Sequence, residues 1–208
     1  MYIDITFAIN KSMPAWPNSI GYSYDFLLKM PEQTNNLSAI RMDCHFGTHL
    51  DAPLHFVENG KSIEQLDLSV LIGPCFVKEI RNTNIISYDH LKEANIPAGT
   101  TRLLLKTDNQ IQWEAGNTNF YEDFCGLDET ASKWCVENNI QLIGIDYLSI
   151  QRFTASIATH QVLLENEIII LETLKLDEVT EGHYDLICLP LKLENLEGAP
   201  MRALLKKI

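Results

Sequence analysis

Positive charge is scarce in this chain: 16 lysines and arginines stand against 28 aspartates and glutamates in 208 residues, a formal net charge of −12. A field of that sign repels phosphate backbones, so binding to nucleic acid would require a local basic patch. The only lysine pair, Lys206-Lys207, sits at the C-terminus and reads as a solvated strand end. Long hydrophobic runs are missing too. The longest purely aliphatic one, Ile168 to Leu171, is far too short to span a bilayer. The start, Met1 to Thr6, offers neither the basic region nor the unbroken apolar stretch of a secretory signal. The five cysteines (Cys44, Cys75, Cys125, Cys135, Cys188) are odd in number and too widely spaced for a zinc knuckle or a convincing disulfide framework. A reducing cytoplasm is therefore the expected compartment, with neither membrane nor nucleic acid as partner. No Gly-x-Ser-x-Gly elbow occurs, which weighs against Ser/His/Asp chemistry. Repeats, low-complexity tracts and linker-like stretches are also absent, so residues 1–208 are expected to form one domain.

What is present is an ordinary globular composition, 46% hydrophobic and 21% charged. Tyr2 to Thr6 alternates as a strand, and Met13 to Asn18 then uses two prolines to leave the sheet and carry Trp16 into a loop. Further strands are expected at Ser38 to Cys44, Cys75 to Ile80, Arg102 to Thr107, Ile140 to Asp146, Ile168 to Glu172, Tyr184 to Leu189 and Met201 to Leu205. Ser87 to Asn95 reads as a Ser-capped helix stopped by Pro97 and Gly99. Asp128 to Asn138 reads as an Asp-capped helix. Two helix-turn-strand units, Ser87 to Thr107 and Asp128 to Asp146, favour an α/β domain with a mixed sheet over an all-β sandwich.

The segment His45-Phe46-Gly47-Thr48-His49-Leu50-Asp51-Ala52-Pro53-Leu54-His55 gathers three of the six histidines and an aspartate. Imidazole and carboxylate suit zinc, manganese or iron, and an open His/His/Asp set leaves coordination positions for water. A straight strand would hold His45 and His49 about 13 Å apart, at about 3.3 Å per residue. The chain must curl, with Gly47 free to take positive φ and Pro53 stopping any continuing helix. Lone histidines more often cap turns; this concentration favours a site. Downstream, Glu172 closes the apolar run Ile168 to Leu171, where an ionised carboxylate needs a cation, a proton or solvent. Asp146 at a strand end reads equally as a site orienter or a turn cap. His90 and His183 read as structural or exposed, in a helix and in a turn before a strand.

With these residues in view, His45-x-Gly47-Thr48-His49-x-Asp51-x-Pro53-x-His55 resembles the signature of the cyclase family of metal-dependent hydrolases, which includes bacterial kynurenine formamidase and isatin hydrolase. The likeness extends to Trp16, Gly144-Ile145-Asp146, His160-x-x-Leu163-Leu164, Leu171-Glu172, Leu189-Pro190-Leu191 and Gly198 to Ala203, so that it covers nearly the whole chain. It implies the family's swivelling β/β/α fold, assembly as a homodimer or larger, and one or two divalent ions, zinc foremost and manganese next. His45, His49 and Asp51 would bind a first ion; Asp51, His160 and Glu172 would bind a second about 3.5–4 Å away. His55 corresponds to the proposed general acid/base, and Trp16 to an aromatic wall for a small-molecule substrate. The activity implied is hydrolysis of an aryl formamide, as in tryptophan catabolism. Opening of a cyclic amide or lactone such as isatin is the alternative, and a non-catalytic metal- or ligand-binding protein the third. Formamidase-like members often carry Ser-Ile-Asp where this chain has Ser149-Ile150-Gln151, which bears on the substrate rather than the metal.

Overall fold

The computed structural model describes residues 1–208. Its strands are β1 (Tyr2–Asp4), β2 (Ser23–Leu28), β3 (Leu37–Arg41), β4 (His49–Asp51), β5 (Ile72–Glu79), β6 (Ile85–Ile86), β7 (Arg102–Lys106), β8 (Gly126–Leu127), β9 (Leu142–Ile145), β10 (Ile169–Glu172), β11 (Gly182–Pro190) and β12 (Gly198–Lys207). The α-helices are α1 (Leu68–Leu71), α2 (Tyr88–Glu93), α3 (Gln110–Glu114), α4 (Glu129–Glu137) and α5 (Ala158–Glu165), and Pro53–His55 forms a single 3-10 turn. The expected α/β class with a mixed sheet is what the chain adopts.

One sheet runs β1-β12-β11-β5-β7-β9-β10-β4, and β4 pairs back onto β12, so the ring closes. The strands β5, β7, β9 and β10 are mutually parallel, whereas β4, β11 and β12 join antiparallel. Closure removes most free edges, which would otherwise invite pairing with another chain. It also divides the core. Leu50, Leu104, Leu142, Leu171, Leu186 and Ala203 pack inside the ring. Leu103, Leu105, Ile143, Ile145 and Ile170 face outward, where Leu91, Ala131, Trp134, Leu163 and Leu164 of α2, α4 and α5 cover them. Burying each such aliphatic side chain contributes about 1.5–3 kcal/mol. Strands buried on both faces read as continuous apolar runs, as Leu103-Leu104-Leu105 does.

Several boundaries differ from the sequence reading. The strand expected at Ser38 to Cys44 ends at Arg41, and the chain turns and bends from Cys44 to Thr48. β2, β4, α3 and α5 were not foreseen. His183 lies within β11 rather than in the turn before it. β2 and β3 form a separate hairpin, exposed along nearly its whole length.

Candidate metal and catalytic site

The histidine segment curls as its spacing requires. Gly47 takes φ 78°, and an added Cβ would lie 2.9 Å from Ile9 Cγ1. Thr48 fixes the curl: its hydroxyl donates to the Thr173 carbonyl at 2.6 Å and accepts from Phe7 N–H at 3.0 Å. β4 then lies between β10 and β12, with His49 opposite Glu172 and Asp51 opposite Gly198. Strand alternation sends Leu50 into the ring and puts His49, Asp51 and Glu172 together on the outer face. Over that face α5 brings His160, and the 3-10 turn brings His55.

The resulting cluster is compact, and all of it but the part-exposed His45 is buried. One ligand atom from each of His45, His49 and Asp51 lies within 4.8 Å of the others, and the same holds for Asp51, His160 and Glu172. His45 Nδ1 is 2.8 Å from Asp51 Oδ1, and His45 Nε2 is 3.3 Å from Glu197 Oε1. His49 Nδ1–H donates to the Gly47 carbonyl at 2.8 Å, and a carbonyl can only accept. The proton is therefore on Nδ1, and Nε2 faces Asp51 Oδ1 at 3.4 Å and Glu172 Oε2 at 3.3 Å. Glu172 Oε1 also accepts from Ile150 N–H at 2.7 Å and lies 3.2 Å from His160 Nε2.

Electrostatics shows what the cluster lacks. Asp51 is fully buried and Glu172 nearly so. Burial disfavours both ionised carboxylates, and Glu172 also feels the charge of Asp51. Neighbouring imidazoles nevertheless hold Asp51 well below the usual carboxylate range and Glu172 below it. Burial likewise opposes protonation of His49 and His45. The carboxylates outweigh it, raising His45 and pushing His49 up to about 10. Even so, His49 Nε2 and Asp51 Oδ2 are buried with no aligned hydrogen-bond partner. Two enclosed carboxylates, three imidazoles and two orphaned ligand atoms form a donor set suited to a divalent cation.

His55 behaves differently. It stacks on His45 with ring centroids 4.2 Å apart; its backbone N–H donates to the Ala52 carbonyl at 2.9 Å, but its imidazole makes no hydrogen bond within the chain. Burial, reinforced by the adjacent His45 and His160, pulls its pKa down against the opposing attraction of Asp51. It lines a cavity of about 580 Å³ together with His45, His160 and Glu172. Trp16, half-exposed, forms another wall, packing edge-on against Phe120 at 5.1 Å and Phe153 at 5.4 Å. All seven site residues read from the sequence thus converge on one place. Asp146 does not join them. Its carboxylate accepts from Thr107 N–H and Oγ1–H, Asn109 Nδ2–H and Gln110 Nε2–H, tying α3 to the end of β9. The sequence reading missed Glu197, which reaches His45 only through the β4–β12 pairing, and Asp43, which lines the same cavity. No local spacing signals either one.

The Cyclase family profile matches residues 3–152, and the chain belongs to that family. It is 39% identical to cyclase-like protein 1 of Arabidopsis thaliana over 98% of this chain and 84% of the relative. It is 34% identical to the kynurenine formamidase of Bacillus anthracis over 100% of this chain and 98% of that one. Among solved structures, a potential metal-dependent hydrolase with cyclase activity superposes with a TM-score of 0.84 at 33% identity, covering 99% of this chain and 96% of the other. Isatin hydrolase A of Labrenzia aggregata shares the fold, with a TM-score of 0.83 at 22% identity over 99% and 93% of the two chains.

Proposed function

We propose that residues 1–208 form a single-domain, divalent-metal-dependent hydrolase of aryl formamides, acting on a C–N bond as kynurenine formamidase does. What carries the reading is the meeting of Asp51 and Glu172 with His45, His49 and His160 in the wall of an aromatic-lined cavity, beside an unpaired His55. His45, His49 and Asp51 would hold one ion, and Asp51, His160 and Glu172 a second. Zinc suits the donors best and manganese next. When bound, such an ion supplies Lewis acidity, polarising a carbonyl and lowering the pKa of water from 15.7 to about 7.

The chain's own residues do the rest. His55, kept neutral by burial and lacking a partner, accepts a proton from the attacking water and returns it to the departing anilide nitrogen. Trp16 offers an aromatic face to the substrate ring. Glu172, anchored by Ile150 N–H, keeps its carboxylate turned to the cluster.

Homodimeric or larger assembly belongs to the same proposal. The β2–β3 hairpin exposes Tyr24, Phe26, Leu27, Leu37 and Ile40. A lone hairpin is marginal in water, and an apolar one gains by being covered. The five free thiols support a cytoplasmic setting.

Metal analysis of purified protein followed by a formate-release assay tests the function. We expect formate from N-formylkynurenine or formanilide, lost on chelation and restored by zinc or manganese. Ring opening of isatin without formate release from any formanilide would favour the cyclic-amide reading. Binding without turnover of either class would defeat the catalytic one.

A further inference from the structure

Gln151 stands outside both proposed ligand sets, yet its side chain touches one of them. It lines the cavity, and its Oε1 lies 3.3 Å from His160 Nδ1. Its backbone is pinned, with N–H donating to Ser149 Oγ at 3.2 Å and a parallel bridge to Leu127. Phe56 stacks on the His160 ring at 4.6 Å with an interplanar angle of 18°, leaving in-plane rotation as the ring's main freedom. On the far edge, His160 Nε2 faces Glu172 Oε1 at 3.2 Å and Asp51 Oδ2 at 3.8 Å.

An amide oxygen only accepts, so contact with Nδ1 requires the proton there and leaves the Nε2 lone pair directed at the two carboxylates. We propose that Gln151 is a positioning residue: it holds His160 in the tautomer and ring orientation in which Nε2 completes the Asp51–His160–Glu172 set for the second ion. The inference rests on the two-ion reading above. Because the Gln151 amide is neutral, it orients the imidazole without the added basicity that a carboxylate partner would confer.

The test is a zinc titration of the metal-free, full-length protein against a chromogenic chelator, which resolves stepwise affinities without reference to activity. Wild type should take two ions. Gln151→Leu removes the acceptor at similar size and should weaken the second by about 10–100-fold while leaving the first unchanged. Gln151→Glu restores an acceptor and adds charge, and should hold the second ion at least as tightly as wild type. Wild type saturating with one ion overturns both this inference and the two-ion reading. Two ions with equal affinities in wild type and Gln151→Leu overturn this inference alone, as does equal weakening of both ions. Should Gln151→Leu fail to fold, Gln151→Asn, too short to reach Nδ1, takes its place with the same expected loss, and an unchanged second affinity overturns the inference.

Discussion

Replacing Gly198 with alanine would put a Cβ 2.6 Å from Cε1 of His45 and 3.0 and 3.1 Å from its two ring nitrogens. Ordinary contact begins near 3.4 Å, so the ring must retreat by roughly 0.8 Å, beyond the roughly 0.5 Å within which a site's geometry must be held. Gly198 sits opposite Asp51 in the closing β4–β12 pairing, so its backbone cannot yield without disturbing a second ligand candidate. The ring, part-exposed, can tilt into the cavity, so the fold survives at a cost of about 1 kcal/mol, typical of a single substitution. Metal affinity pays instead, because a ligand nitrogen must lie within about 0.2 Å of its bonding distance. A displaced His45 should weaken binding of the first ion by about 10–100-fold, comparable to loss of an orienting partner. Chelator competition gives the affinity, and thermal unfolding of the metal-free protein gives the stability. Wild-type affinity in Gly198→Ala would refute the placement of His45 in the first ligand set. A large loss of stability in the metal-free protein would refute the claim that the ring yields rather than the strand.

His55→Ala should retain metal and lose about 10²–10⁴-fold in kcat, the usual contribution of a proton-transfer group; loss of metal equal to that in Asp51→Ala would make it a ligand instead. Asp146→Asn turns an amide N–H₂ towards buried donors from Thr107, Asn109 and Gln110, and should cost about 2–4 kcal/mol in denaturant unfolding, with unchanged stability counting against the network. Burial pushes the Cys75, Cys125 and Cys135 thiols up to about 12 and raises Cys188 as well. Their native state therefore keeps protons that the unfolded chain sheds above about 8.5. That stability is present below the unfolded value and lost as pH rises towards the folded one, so the melting temperature should fall between pH 9 and 12. A thiol reagent at pH 8 should modify half-buried Cys44 in the native protein and the other four cysteines only on unfolding; rapid native modification of several would show a looser core.

The chemistry of the site was legible in the sequence where it is local. His45, His49, Asp51 and His55 are close in the chain, and Gly47 with Pro53 announces the curl that converges them, which the φ of 78° at Gly47 realises. Strands and capped helices were legible for the same reason. Asp128 accepts from Ala131 N–H at the start of α4, so that helix carries its own start signal. By contrast, α5 begins after Ile157 with no side-chain cap and runs only eight residues, so nothing marked it locally. β4, three residues with two polar side chains, is a strand only because β10 and β12 flank it.

Tertiary structure alone decided the rest. A uniformly apolar stretch such as Leu103-Leu104-Leu105 does not say which residue points into the ring, because both faces are buried. The register of β4 against β10 sets Glu172 opposite His49, and a slip of one residue would turn one strand's ligands into the ring. The contacts of Glu197 and Gly198 with His45, and of Gln151 with His160, likewise depend on pairings and packing between distant segments. Residue types and their local spacing determined which chemistry this protein can perform; the sheet's closure and register determined which side chains surround it, because those are long-range choices that no short segment encodes.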